Sequence, residues 1–373
     1  MLKLQYFTAL LLPLAVLAPA PGAARAQAPA VGYFHLAQSS GVTALYQPAG
    51  ARLRLRALDH VRLISASAAR TDLAPAYVDE RSAALLAAME QDGFNALGGD
   101  TDAELWHRGL PFIQQLDLSR HLAAGQQNPV VDVYEDGFAA AVYALVQSAC
   151  IPQRQDPELI GYLSDPGLEW DPGAHPEVVF RFYLSQSMTA PARLHALDFL
   201  RLRYAGGIAQ LNRAWGIHAR DFLTLAPPPA AQANAAFRAD AGAFAVQVLA
   251  RYLATVAGAI HAADPNHLYL GAELAVSPAP DASLRSAWSI PDVASMALAA
   301  DAAGETAADA AALAPRPVLL DVRGCASPPV SLLREASVIG YIWTPDHDWQ
   351  SGACGEAARA WRQFNGPALR GQR

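Results

Sequence analysis

The sequence predicts an α/β protein folded as a (β/α)8 barrel, the TIM-barrel architecture. Two observations carry that expectation. Short apolar runs alternate with long amphipathic stretches over most of the chain, the pattern of βα units around a parallel sheet. Eight such runs can be counted, the number one barrel needs, in a chain whose 373 residues suit one barrel with insertions.

Taken in order, residues 1–26 read as a signal peptide. Lys3 gives the charged start, Phe7–Leu17 an apolar core, and Ala24-Arg25-Ala26 a small-x-small cleavage site. The core falls well short of the roughly 20 apolar residues of a membrane span, and later runs do not reach that length either. The expectation is export to the periplasm or beyond, cleavage near Ala26, and no span in the mature chain. Residues 27–373 then form one domain. Tyr33–Gln47 and Ala51–Arg56 read as hairpin strands joined by Pro48-Ala49-Gly50.

The candidate barrel strands are Leu53–Asp59, Phe94–Gly98, Pro111–Asp117, Leu159–Ser164, Leu268–Glu273, Val293–Ala297, Pro317–Val322 and Val338–Trp343. Between them, helices are expected at Arg81–Gln91, Phe138–Gln147, Leu194–Trp215 and Ala243–Ala263. The last carries Phe244, Val248, Leu249, Tyr252, Val256 and Ile260 at three- and four-residue steps, a stripe that packs on a core rather than holding a cofactor. Glu169–Pro265 is a helical insertion after strand four, and Ala299–Pro315 is an Ala/Asp-rich piece expected over the top face.

Composition excludes several classes of function. The formal charge of −7 becomes −9 without residues 1–26, which hold Lys3, Arg25 and no acid. An acidic chain with no basic stripe argues against nucleic acid as a partner. No lysine follows Lys3, which excludes Schiff-base, pyridoxal and Walker-type phosphate chemistry. A serine hydrolase would need a Gly-x-Ser-x-Gly elbow, and there is none. Cys325 and Cys354 each follow a late strand and are candidates for a disulfide or for two separate thiols, while Cys150 reads as a buried thiol on a helix. No Cys-x-x-Cys or His/Cys cluster points to a metal, and the adjacent Asp346-His347-Asp348 cannot converge easily on one ion. No cofactor is expected, and the oligomeric state stays open.

Seven segments carry a resemblance: Gly41–Arg56 (GVTALYQPAGARLRLR), Gly93–Gly98 (GFNALG), Gly109–Phe112 (GLPF), Val131–Tyr134 (VDVY), Asp156–Tyr162 (DPELIGY), Tyr204–Trp215 (YAGGIAQLNRAW) and Asp264–Gly271 (DPNHLYLG). In order, they are similar to segments of a family of agarase-like and β-galactosidase-like glycoside hydrolases, over nearly the whole mature chain. The resemblance implies a carbohydrate partner and a barrel with catalytic glutamates at the ends of strands four and seven. Retaining hydrolysis needs two such carboxyls about 5–5.5 Å apart across the scissile bond. In the family, strand four ends GYF-x-D-N-E-x-x-W. Here Leu159–Trp170 reads LIGYLSDPGLEW, so Asp165 and Trp170 match, while Pro166 and Gly167 stand where the asparagine and the acid/base glutamate would be. At strand seven Pro317–Asp321 (PVLLD) resembles the family's kPvliTE, which puts Asp321 at the nucleophile position.

An aspartate is one methylene shorter than a glutamate, and a misplacement of about 1 Å costs on the order of a hundredfold in rate. Losing the proton donor removes a further 10²- to 10⁴-fold or so. The first reading is therefore a glycoside-hydrolase-like barrel, catalytically impaired, that binds a saccharide or a partner. A rival reading is an inverting or unconventional glycosidase using Asp321 with Asp165, Glu169 or Glu273. A third is a scaffold with a plugged mouth. Asp165 is either a turn residue or a site carboxylate, and Glu169 either a solvated loop charge or a substitute acid. Glu273 ends strand five, where an ion pair with Arg323 would fill space once needed for substrate contacts. Asp59 and His60 at the end of strand one join Trp106, Trp170, Trp343 and Trp349 as candidate binding residues on one rim, although single tryptophans are often core.

Overall fold

All eight runs read as barrel strands are strands. The computed structural model describes residues 32–39, 41–64, 74–125, 128–171, 175–275, 282–298 and 316–366. The expected signal peptide and the Ala/Asp-rich piece 299–315 lie outside the described residues. The first three strands, β1 (His35–Ser39), β2 (Val42–Tyr46) and β3 (Arg52–Leu53), form a small antiparallel sheet. Tyr33–Gln47 is thus not one strand. It folds back at Gly41, in the left-handed region at φ 80°, and pairs His35 with Tyr46.

The barrel strands are β4 (Leu55–Leu58), β5 (Ala96–Leu97), β6 (Phe112–Gln115), β7 (Leu159–Asp165), β8 (Leu268–Ala272), β9 (Leu274–Ala275), β10 (Ala294–Leu298), β11 (Val318–Arg323) and β12 (Val338–Thr344). Their order is β8-β7-β6-β5-β4-β12-β11-β10-β9, and every neighbouring pair is parallel. Only Glu273 separates β8 from β9. The two are one interrupted strand that pairs with β7 on one side and β10 on the other, which closes eight strands into a barrel.

Strand alternation sorts the side chains into two cores. Leu55, Ala57, Ala96, Ile113, Leu163, Leu270, Leu319 and Ile342 point inward and pack with one another. Leu45 and Leu53 of the small sheet, with Phe34 just before it, join this interior cluster, so that sheet stoppers the end of the barrel where the strands begin. The outward residues, among them Leu58, Phe112, Tyr162, Leu320, Tyr341 and Trp343, pack against the helices.

The helices are α1 (Pro75–Gln91), α2 (Leu118–Leu122), α3 (Phe138–Cys150), α4 (Pro176–Ser185), α5 (Pro191–Arg203), α6 (Ile208–Trp215), α7 (Ala235–Ala263), α8 (Ala282–Trp288) and two further ones at Val330–Leu333 and Gly355–Phe364. The stretch expected as one helix from Leu194 to Trp215 breaks into α5 and α6 at Ala205-Gly206, both with positive φ. The helix expected from Ala243 starts eight residues earlier, because the Asn234 side chain caps it by accepting the Phe237 amide. By length and composition α7 could cross a membrane. Its stripe Phe244, Val248, Leu249, Tyr252, Val256 and Ile260 is buried in the outer core, where α3, α4 and α8 pack against it.

Candidate functional site

The same alternation that fills the barrel builds its mouth. Two residues beyond an inward core side chain, the next inward position at the carboxyl end of a strand is Asp59 after Ala57, Gln115 after Ile113, Asp165 after Leu163, Asp321 after Leu319 and Thr344 after Ile342. Arg323 follows Asp321 by the same step. A cleft of about 920 Å³ opens at this end, lined by Asp59, His60, Gln115, Asp165, Gly167, Glu169, Glu273, Arg323 and Thr344 among others. This is the face on which barrel enzymes place their chemistry.

Arg323 is the centre of the cleft. Its Nε donates to Asp321 Oδ2 at 2.5 Å, and its Nη2 donates to Glu273 Oε2 at 2.9 Å and to the Pro166 carbonyl at 2.6 Å. Asp321 Oδ1 accepts from Thr344 Oγ1 at 2.5 Å. Asp321 is 1% exposed, beneath the arginine and threonine that line the cleft above it. Gly167 takes φ +113°, a conformation L side chains rarely adopt, and a Cβ there would meet Arg323 Nη2 at 3.4 Å and Nη1 at 3.5 Å. A guanidinium therefore faces Gly167 directly. It also holds the Asp321 and Glu273 carboxyls within its own span, leaving no gap for a sugar ring between them.

The electrostatics follow from two acids sharing one cation. Burial drives the Glu273 carboxyl well above the usual carboxylate range, with the Asp321 charge raising it further and Arg323 working the other way. Glu273 is thus pushed toward its neutral form, while Asp321 makes the shorter contact with the arginine. Burial opposes the charge on Arg323, but Asp321 and Glu273 outweigh it and hold the guanidinium protonated. Asp59 is pushed up to about 6, mainly by burial, with Asp321 as a further raising charge and His60 working the other way. Its Oδ1 accepts the Asp100 amide at 2.7 Å.

The remaining sequence candidates divide. Asp165 sits at the end of β7 with Oδ1 accepting the Ser119 amide and Oδ2 the Tyr252 hydroxyl, both at 2.7 Å. Fully buried, its pKa raised by desolvation, it ties β7 to α2 and α7. Glu169 is exposed on the loop beside the cleft. His60, at φ 57°, donates Nδ1–H to the Pro345 carbonyl and brings Nε2 to 3.4 Å from Asp100 Oδ2.

The tryptophans do not share a rim. Trp343 follows the inward Ile342 by one residue and so points outward, where it is fully buried between Phe94 and Trp361 and donates to the Gly324 carbonyl. Trp106 stacks on Phe112 at the start of β6, away from the cleft end. Trp349 packs edge-on against Phe94. Trp170 alone borders the cleft, its ring wholly buried edge-on to Tyr252. Cys325 and Cys354 form a disulfide, and Cys150 is a buried free thiol whose pKa burial raises to about 12. Among the described residues no cluster of three or more His, Cys, Asp or Glu side chains could hold a metal.

Thr344, Gln115, Asp100 and Asp117 line the site without having been singled out in the sequence. Thr344 and Gln115 were within reach of the two-residue step. Asp117, at φ 51° and accepting from Gln115 Nε2, is the charged residue that ends the run read as strand three.

No family model matches the chain. Over 208 residues, half of its length, it is 30% identical to β-agarase A of Vibrio sp. (strain JT0107), a match that covers 21% of that protein. In fold, an exo-β-agarase aligns with 90% of this chain and 65% of its own at a TM-score of 0.69 and 15% identity. A β-galactosidase from the Antarctic haloarchaeon Halorubrum lacusprofundi aligns with 83% of this chain and 57% of its own, at 0.54 and 13%. The chain spans about a fifth of the curated relative it matches and less than two thirds of these solved structures. In sequence over half its length and in fold over most of it, the chain is similar to the agarase-like and β-galactosidase-like glycoside hydrolases.

Proposed function

We propose that the chain is an exported, catalytically impaired glycoside-hydrolase-like barrel that binds a saccharide in the cleft at its mouth without cleaving it. One observation carries the reading: the Arg323 guanidinium stands against Gly167, the position to which the resemblance would assign the proton donor. Arginine does not give up its proton in proteins, so it cannot protonate a departing glycosidic oxygen. Asp321 lies beneath that arginine, with both oxygens engaged. The cleft itself is open and mixes charged and polar side chains with apolar surface, which suits a sugar's hydroxyls and C–H faces.

A second reading has its own support. Glu273 is a buried carboxyl beside Asp321 whose pKa burial raises well above the usual range, the direction that suits a general acid. It predicts slow hydrolysis that Glu273→Gln abolishes. The deciding experiment incubates the purified chain with agarose, β-galactoside and glucan oligosaccharides, following reducing ends while titrating binding in parallel. Binding with no release of reducing ends is the expected result. Turnover lost in both Asp321→Ala and Glu273→Gln would replace it with the second reading.

A further inference from the structure

We propose that Arg323 is the principal ligand-contacting residue of the cleft, a fixed hydrogen-bond donor standing where a glycosidase carries its proton donor. The inference rests on the saccharide-binding reading and names the group that does the binding and the charge class it selects.

A guanidinium has five N–H groups, one on Nε and two on each Nη. Nε is spent on Asp321, and Nη2 on Glu273 and the Pro166 carbonyl. Nη1 makes no hydrogen bond among the described residues, although the side chain lines the cleft and is 40% exposed. The three anchored contacts immobilise the planar group, so a ligand oxygen meeting Nη1 finds a donor whose rotamer entropy has already been lost. Gly167 keeps that approach clear, since any Cβ there would stand 3.5 Å from Nη1.

Charge decides the class of acceptor. The guanidinium is balanced by Asp321, and Asp100, Asp117, Glu169 and Asp346 also line the cleft. Among the described residues the lining arginines Arg120 and Arg323 oppose them, with Arg62 paired to Asp100 beside the cleft. A sulfate or uronate would meet this carboxylate field, whereas an uncharged hydroxyl or ring oxygen accepts from Nη1 without repulsion. The ligand is therefore a neutral saccharide.

The test is calorimetric titration of the full chain with a neutral agaro-oligosaccharide and with a sulfated galactan oligosaccharide of equal length. The comparison variant combines Arg323→Met with Asp321→Asn and Glu273→Gln, so that no buried charge loses its partner. A hydrogen bond from a charged donor makes the expected loss of affinity for the neutral ligand at least about tenfold. Wild type should prefer the neutral ligand. Affinity in the triple variant within twofold of wild type, or a preference for the sulfated ligand, overturns the proposal and leaves saccharide binding intact. No binding of either ligand by wild type overturns both. Should the triple variant lack a cooperative thermal transition, the wild-type guanidinium ¹⁵N resonance of Arg323, assigned by its absence in Arg323→Lys, decides. It should shift at ligand saturation, and an unmoved resonance overturns the proposal.

Discussion

The barrel buries carboxyl groups at both ends, with opposite consequences. Below the start of β8, Asp264 accepts Tyr162 Oη at 2.5 Å, His267 Nδ1 at 2.7 Å and the Asn266 amide at 2.9 Å. His267 turns its Nε2 to the Asp156 carbonyl at 2.7 Å. Burial works against the Asp264 charge, yet the bonds from His267 and Tyr162 win and hold its pKa below the usual range. At the mouth, burial raises the pKa values of Glu273 and Asp59, and the Asp321 charge raises both further. Burial is common to both ends. The difference is the balance of donors against burial and like charge, which makes one end a structural clasp and leaves the other with the ionisation conflicts typical of functional sites.

The largest effect expected from this contrast is at the clasp. Asp264→Ala strips the acceptor from a buried tyrosine and a buried histidine at once, a loss in the range of about 3–5 kcal/mol. Urea unfolding should show it as a lower midpoint with an unchanged slope. The depressed pKa means that Asp264 contributes stability above its unfolded value near 3.9 and loses it as pH falls through the folded pKa, so the variant should lack that acid limb. A loss below about 1 kcal/mol would erase the distinction between the two ends.

Asp59→Asn should act in the opposite direction and less strongly. With a folded pKa of about 6 against roughly 3.9 unfolded, the native state holds the proton more tightly, and wild-type stability falls as pH rises from about 4 to 6. Two units correspond to an upper bound near 3 kcal/mol, and coupling to the neighbouring acids reduces this to the order of 1–2 kcal/mol. Asparagine keeps an acceptor for the Asp100 amide, so the variant should be more stable than wild type above pH 6 and flatter between pH 4 and 6 in thermal melts. Unchanged pH dependence would place the mouth's strain elsewhere.

What the sequence made legible follows the same physics. The strands were readable because buried parallel strands are apolar runs, and the Glu273–Arg323 pair because charged residues ending such runs must meet. Arg323 also stands two residues from Asp321, on one face of β11. Trp343 was misplaced by one position, since a single residue along β12 exchanges the cleft for the outer core and Thr344 takes the inward place. The partners of Asp165 were beyond sequence reasoning. Ser119 and Tyr252 come from 46 and 87 residues away, on helices whose own patterns concern only packing.

Glu169 tests the contrast at its weakest point, because it lines the cleft while remaining exposed, with neither the donors of the clasp nor the burial of the mouth cluster. A carboxylate in that position is solvated in both folded and unfolded chains, so Glu169→Gln should change stability by no more than about 0.5 kcal/mol. Its charge belongs to the field that disfavours anionic ligands, and its loss should weaken neutral-saccharide binding less than twofold while easing sulfated-ligand binding slightly at low salt. Both are read from the same titrations as the Arg323 variants. A tenfold loss of neutral-ligand affinity would instead place Glu169 in direct contact with the sugar, and the division between buried and exposed acids would no longer separate the residues that act from those that only surround them.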